Sequence, residues 1–378
     1  MRHLRWVIAL TVFALGIATG RATADRSVAF EPAWSVAGSL AEARNYPRVT
    51  ALPDGDLLVT GGVDPAFPDV ARATSERFDP ARGTTTLIAP SGPGRVNHTA
   101  TLAGGDRVVV AGGTDYYGGA WHAMDRVDVY SADVGRWYQA AAMRAPRADH
   151  AAVALRDGRV LVAGGEDGSF IYRTVEIYDP ATDTWSSAAP MPRVRTQFLM
   201  TLLPDGRVLA LGGLEDRGAP SRTSVLYDPR TDSWSEGPPL AYDRVLSALA
   251  TLPSGDVLVI GGQYSASNTA ERYDWRLHRF FYAGVLVEPR LAAVAAALPD
   301  GSVALVGGLP NSPSRVGFVP TANAERWDPR TNEWTELPGI AAGRALGALV
   351  VSGGEAYLVG AARTGEEADA QIERLRVQ

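Results

Sequence analysis

Glycine pairs fall at Gly61-Gly62, Gly112-Gly113, Gly164-Gly165, Gly212-Gly213, Gly261-Gly262 and Gly307-Gly308, at spacings of 51, 52, 48, 49 and 46 residues. A period near 50 confines the chain to a repeat architecture, in which each copy is one supersecondary unit that buries its faces against its neighbours. A second mark supports the count. Seventeen residues before each pair stands an arginine: Arg44, Arg95, Arg147, Arg195, Arg244 and Arg290. Arg344 stands at the same offset before Ala361-Ala362, which follows Tyr357-Leu358-Val359 and reads as a seventh, altered copy.

Each copy reads as four strands, a to d. Strand a follows the arginine and is rich in small residues, as in Ala292 to Leu298. An Asp-Gly turn or a relative (Asp54-Gly55, Asp157-Gly158, Asp205-Gly206, Ser254-Gly255, Asp300-Gly301) closes the a–b hairpin, since such two-residue turns match the twist of paired strands. Strand b runs into the glycine pair. Strand c carries an acid and then an aromatic: Glu76 and Phe78, Asp128 and Tyr130, Glu176 and Tyr178, Glu271 and Tyr273, Glu325 and Trp327; Val225 replaces the acid in the fourth copy. The c–d turn has the form of Asp228-Pro229-Arg230-Thr231-Asp232, with proline presetting the turn and a last residue that tolerates positive φ. Strand d carries Trp137, Trp185, Trp234 and Trp334, with Phe280 or Phe281 substituting once and none in the first copy.

Gly-Gly, then aromatic-Asp-Pro, then Trp, on four strands per period, resembles the kelch repeat over nearly all of the chain. The resemblance implies an all-β, seven-bladed kelch β-propeller with four antiparallel strands per blade. Radial packing agrees with the physics, because it lets four-stranded sheets bury both faces and protects their edges. The seventh copy has Glu373 where strand c belongs and no strand d after it, while Phe30 to Ala37, bearing Trp34, reads as a strand d with nothing before it. The last blade is therefore expected to be closed by the N-terminal strand, as a composite of about residues 30–40 and 344–378. A six-bladed ring is the alternative, and it leaves Arg344 to Gln378 without a place.

Residues 1–24 read as a signal peptide: Arg2 and Arg5, an apolar run from Trp6 to Ala18, then Ala22-Thr23-Ala24 as a small-x-small cleavage site. The expected mature domain is 25–378. Loss of Arg2, Arg5 and Arg21 takes the formal charge from −6 to −9, the wrong sign for a nucleic-acid binder. No later apolar run is long enough for a transmembrane segment. The expectation is export to the periplasm or the extracellular space, as a monomer. Cysteine is absent, which excludes disulfides, thiolate metal sites and a cysteine nucleophile.

In kelch propellers the binding face follows the repeat arginine and the glycine pair. The resemblance thus implies candidate binding residues Tyr46, Asn97, His98, Asp149, His150 and Gln197 after the arginines, and Asp64, Asp115, Glu166, Asp167, Glu215 and Tyr264 after the pairs. This gives an acidic and polar arc over blades 1–4, facing an apolar arc of Leu291, Ala292, Leu309, Pro310 and Leu346 over blades 6–7. Loops of blades 2 and 3 add Tyr116, Tyr117, Trp121, His122, Phe170 and Tyr172. Aromatics beside carboxylates suit sugars or a basic peptide. The competing reading is that several of these residues satisfy the arginines and the turns, and that each arginine pairs within its own blade. His98 and His150 recur three residues after an arginine and either fill a repeat slot or join Asp115, Asp149 or Glu166 around a divalent metal. No cofactor, metal site or catalytic residue is assigned.

Function follows in two classes. The first is a non-catalytic binding or scaffold protein with a protein or glycan ligand on the propeller face. The second is a carbohydrate-active enzyme, because exported kelch propellers include copper-radical galactose oxidases and sialic acid mutarotases. The former needs a cysteine cross-linked to tyrosine, which this chain cannot make. A mutarotase-like epimerase needs only an acid–base pair, which Glu166, Asp149, His150 and the channel-mouth arginine could supply, though nothing in the sequence demands it.

Overall fold

Seven antiparallel four-stranded sheets follow one another along the chain, in a computed structural model that describes residues 34–376 apart from 68, 90–91, 264–267, 311–318 and 361–369. The signal-peptide reading and Tyr264 lie outside the described residues. In blade 3 strands a to d are Ala151–Ala154, Val160–Ala163, Val175–Asp179 and Thr184–Ala188, and the other blades repeat this order. The b strands are buried along their length because both of their faces meet neighbouring blades. The d strands alternate between exposed and half-buried residues, as an outer edge requires.

Strand a is innermost. Arg48–Ala51 of blade 1 lies against Thr99–Ala103 of blade 2 and against Ala348–Ser352 of blade 7, so the series closes on itself. The core is divided among the interfaces between blades. Leu161 and Ile177 of blade 3 pack on Val208 and Tyr227 of blade 4, and Leu57 and Phe78 of blade 1 pack on Tyr357 and Ile372 of blade 7. The outer turns tie the same interfaces. The Tyr178 hydroxyl donates to Asp183 Oδ1 at 2.8 Å, and that oxygen also accepts the Ala141 N–H of blade 2 at 2.8 Å. His278 fills the same turn position in blade 5, at φ 50°, where the Tyr273 hydroxyl lies 3.2 Å from Nδ1.

The seven arginines are buried. In blade 3 Arg147 donates to Glu176 at 2.7 Å and to the carbonyls of Gly164 and Thr174 at 2.8 and 3.2 Å. Its own carbonyl accepts the Gly113 N–H of blade 2 at 2.9 Å. Arg44–Glu76 at 3.0 Å, Arg244–Glu271 at 2.8 Å and Arg344–Glu373 at 2.9 Å repeat the pairing, as do Arg95–Asp128 and Arg290–Glu325. The glycine pair belongs to this joint. Gly164 has φ +63°, and a Cβ there would lie 2.3 Å from the Arg195 carbonyl of blade 4. The pair is thus a close approach between blades as well as a sharp exit from strand b. In blade 7 the first position of the pair is Gly360, one residue before the Ala361 reached by counting. Val359 pairs with Ala348 as Thr60 pairs with Arg48, and a Cβ on Gly360 would meet the Arg44 carbonyl at 2.9 Å.

Blade 4 lacks the strand-c acid, and Glu215 takes its place from the b–c loop. Its carboxylate lies 3.2 Å from Arg195 and accepts Ser221 and Thr223 hydroxyls at 2.6 Å each. Glu215→Ala is expected to destabilise the protein by about 3 kcal/mol, because it leaves a buried guanidinium without its counter-charge. Adding Val225→Glu should recover part of that loss in urea unfolding.

Blade 7 is composite. Trp34–Ser39 pairs antiparallel with Gln371–Leu375, in the register Trp34 to Leu375 and Ser39 to Gln371. The Trp34 ring packs with Leu298 and Leu337 of blade 6 and Leu349 of blade 7. Trp34→Ala should cost about 3 kcal/mol and lower the thermal midpoint, whereas Val36→Ala, at a side chain 56 % exposed, should leave it unmoved.

Candidate functional site

One end of the ring, where strands a begin and strands b finish, is built on an unusual backbone feature. The residue two after each framework arginine has positive φ without being glycine: Tyr46, Asn97, Asp149, Gln197, Leu246, Ala292 and Leu346, between 52° and 62°. Their amides form a belt. Tyr46 N–H donates to the Leu346 carbonyl at 3.1 Å, Asp149 to Asn97 at 3.0 Å, Gln197 to Asp149 at 2.9 Å, Ala292 to Leu246 at 2.8 Å, and Leu346 to Ala292 at 3.3 Å. Each bond reaches the same position in the preceding blade. These bonds satisfy five of the seven amides, and the side chains at the seven positions vary. The polar arc is Tyr46, Asn97, Asp149 and Gln197; the apolar arc is Leu246, Ala292 and Leu346.

The residue after each belt position serves the interfaces. His98 is fully buried, with Nε2 2.9 Å from Thr60 Oγ1 of blade 1, and fills the space against Gly61 and Gly113. His150 does the same one blade on, with Nε2 3.0 Å from Thr99 Oγ1 and contacts at Gly112 and Gly165. Phe198 occupies the equivalent slot between Gly164 and Gly213. The two histidines therefore lie within blade interfaces rather than on the face. Among the described residues no three of His, Asp and Glu are placed to hold a metal ion.

The remaining candidates separate by partner. Asp64 pairs with Arg72 at 2.8 Å, Asp167 accepts the Tyr172 hydroxyl at 2.5 Å, and Glu215 belongs to Arg195. Asp115 accepts the Tyr116 N–H at 2.9 Å. Among the described residues Asp149 and Glu166 have neither an ion-pair partner nor a side-chain hydrogen-bond partner. Burial pushes the Asp149 carboxyl up to about 6, with Glu166 adding to it and Arg48 opposing. Burial, then Asp167, also raises Glu166. At the opposite end of the ring the acids of the turns are neutralised, by Arg77 on Asp54 and Asp56, Arg207 on Asp205 and Arg330 on Asp328.

The sequence reading missed Arg48. It begins strand a of blade 1, and its equivalents are Thr99, Ala151, Leu199, Ala248, Val294 and Ala348. That column carries the available signal: Arg48 is the only charged residue on the seven innermost strands. The reading did capture the aromatic loops. In blade 2, Thr114–Tyr117 and Ala120–Ala123 form an extra hairpin, with Tyr116 5.3 Å from Trp121 and Tyr117 stacked on His122 at 4.0 Å between ring centroids. Tyr117 is 60 % exposed and Phe170 of blade 3 is 69 % exposed.

The kelch motif family matches residues 146–192, spanning most of blade 3, and the same arginine joint recurs in all seven blades. The protein is a kelch-repeat β-propeller. Among curated proteins no sequence matches it significantly. A solved fungal alcohol oxidase of the AA5 family, in complex with copper, superposes with a TM-score of 0.73 at 16 % identity, over 91 % of this chain and 76 % of its own. That likeness shows the fold. A cysteine–tyrosine cross-link is unavailable to this propeller, which has no cysteine.

The interface histidines give the propeller an acid limit. Burial lowers His98 far below the ordinary histidine range and takes His150 down to about 3. Both are neutral when folded and bind protons when unfolded, so stability falls as pH drops below about 6.5, by about 1.4 kcal/mol per unit for each histidine until its folded value is reached. Asp149 acts oppositely, since its raised folded value costs stability as pH rises from about 4 to 6. His150→Phe, which copies blade 4, should flatten the loss between pH 6 and 4 in denaturant titrations. An unchanged slope would contradict the assignment.

Proposed function

We propose that this kelch propeller is an exported, monomeric, non-catalytic binding protein that takes a protein segment or a glycan across the end of the ring bearing the belt. The observation that carries the reading is the aromatic ledge of blades 1–3. Phe67, Tyr117, Trp121 and Phe170 are exposed there, on loops that follow the glycine pairs. Exposed aromatics are costly in water and mark binding surfaces. The scaffold beneath them is held by buried pairs, so these side chains are presented from a rigid base. The opposite end of the ring, with its acids self-neutralised, offers less to a partner.

The test is binding of the mature protein to glycan and peptide arrays, with and without EDTA. Capture should occur, resist EDTA, and drop at least about tenfold in Trp121→Ala and Phe170→Ala, while their thermal midpoints stay unchanged. Silence on both arrays would overturn the proposal.

One observation favours the second reading, a carbohydrate-active enzyme of the mutarotase-like kind. A carboxyl held up to about 6 is poised for general acid–base exchange near neutral pH. Catalysed anomer exchange of acidic sugars followed by proton NMR, and its loss in Asp149→Asn, would establish that reading in place of the first.

A further inference from the structure

Arg48 is a cation with spare donors. Its Nε donates to the His98 carbonyl at 2.8 Å, and among the described residues the two terminal nitrogens have no partner. The side chain remains accessible to water, as its place on an innermost strand beside the channel requires. Desolvation lowers its pKa, with Asp149 opposing. Asp149, from blade 3, is near enough for the two charges to act on each other, yet no ion pair joins them. Both therefore keep hydrogen-bonding capacity that no described residue uses. Tyr46 lies on the same side and interacts with Asp149. The belt positions of blades 5–7 are Leu246, Ala292 and Leu346, so three of the seven belt side chains are apolar.

A guanidinium presenting two free terminal nitrogens matches a carboxylate in a bidentate fork, a geometry lysine cannot offer. Resting on the reading that this end of the ring is the binding face, we propose that the channel mouth is a receptor for a small carboxylic acid with an apolar flank. Its carboxylate sits on Arg48, and its flank lies against Leu246 and Leu346. Asp149, when protonated, donates to the bound carboxylate; when ionised, it repels it. The site differs from the aromatic ledge in place and in ligand size. It makes the propeller a protein with a small-molecule occupant at its axis and a larger partner on its loops.

The experiment uses the mature protein with benzoate, benzamide, acetate and inorganic phosphate as probes, read by saturation-transfer NMR and calorimetry. Benzoate should bind and benzamide should not. Arg48→Gln should weaken benzoate at least about tenfold, the loss of one charged hydrogen-bonded pair, with Arg48→Lys as the second variant should the first fail to fold. Leu346→Asn should weaken benzoate and leave acetate unchanged. Benzoate should bind more tightly at pH 5 than at pH 7, because Asp149 gains its proton over that range; the groups facing it are Arg48, Glu166 and Tyr46, and the nearby His98 and His150 remain neutral. Equal binding of benzamide, phosphate preferred over benzoate, or undiminished binding in Arg48→Gln would overturn the proposal, as would no benzoate binding. Array capture without benzoate binding would overturn this site and leave the macromolecular reading standing. Benzoate binding with silent arrays would do the reverse.

Discussion

A buried guanidinium is the joint on which this propeller depends. Each framework arginine ties the start of its blade to the end of strand b and to strand c, through donors that would otherwise sit in a dry interior. A buried charge without its partner is among the most expensive defects a protein can carry. Blade 4 shows what the joint requires. Strand c there has lost its acid at Val225, and Glu215 supplies the charge from a different element. The requirement is a carboxylate within reach of the guanidinium, whatever strand or loop it comes from. The arginine's main chain works across the interface as well, where its carbonyl meets the second glycine of the preceding blade. The two most regular marks in the sequence are therefore two halves of one contact.

That economy leaves other positions free. The belt around the channel is made from main-chain amides and carbonyls, so it places no demand on the side chains it carries. Seven residues in the left-handed region carry four polar and three apolar side chains in contiguous arcs. Positive φ is costly for residues other than glycine, and here interblade hydrogen bonds hold it in place. Identity in the framework and difference in the belt mark where architecture ends and recognition begins.

Much of the architecture was legible in the sequence because it is periodic. Strand order, turn positions, the count of seven and the divided last blade all follow from marks that repeat at a fixed interval, and the strand formed by Trp34 was visible as a piece lacking its predecessors. The sequence left the histidines between two readings, slot fillers or metal ligands, and only their contacts in space place them in the interfaces. What escaped was whatever departs from the period. Glu215 looks like a surface loop acid until the absence at Val225 is connected to it in space. Gly360 is displaced from its expected number by a shortened hairpin. Arg48 stands out only when the inner strands are aligned in columns, and its relation to Asp149 crosses from blade 1 to blade 3, a separation that no local pattern encodes.

The register of Trp34 against Leu375 has a consequence for how the chain comes into being. Among the described strands, the earliest made, Trp34–Ser39, finds its place only after Gln371–Leu375 is made. Through nearly the whole of synthesis, an edge capable of pairing with foreign strands lacks its native cover. The ring cannot be completed early by any subset of blades, so assembly is committed at the C-terminus. A chain cut short before Gln371 is left as an open arc with an unmatched blade at either end.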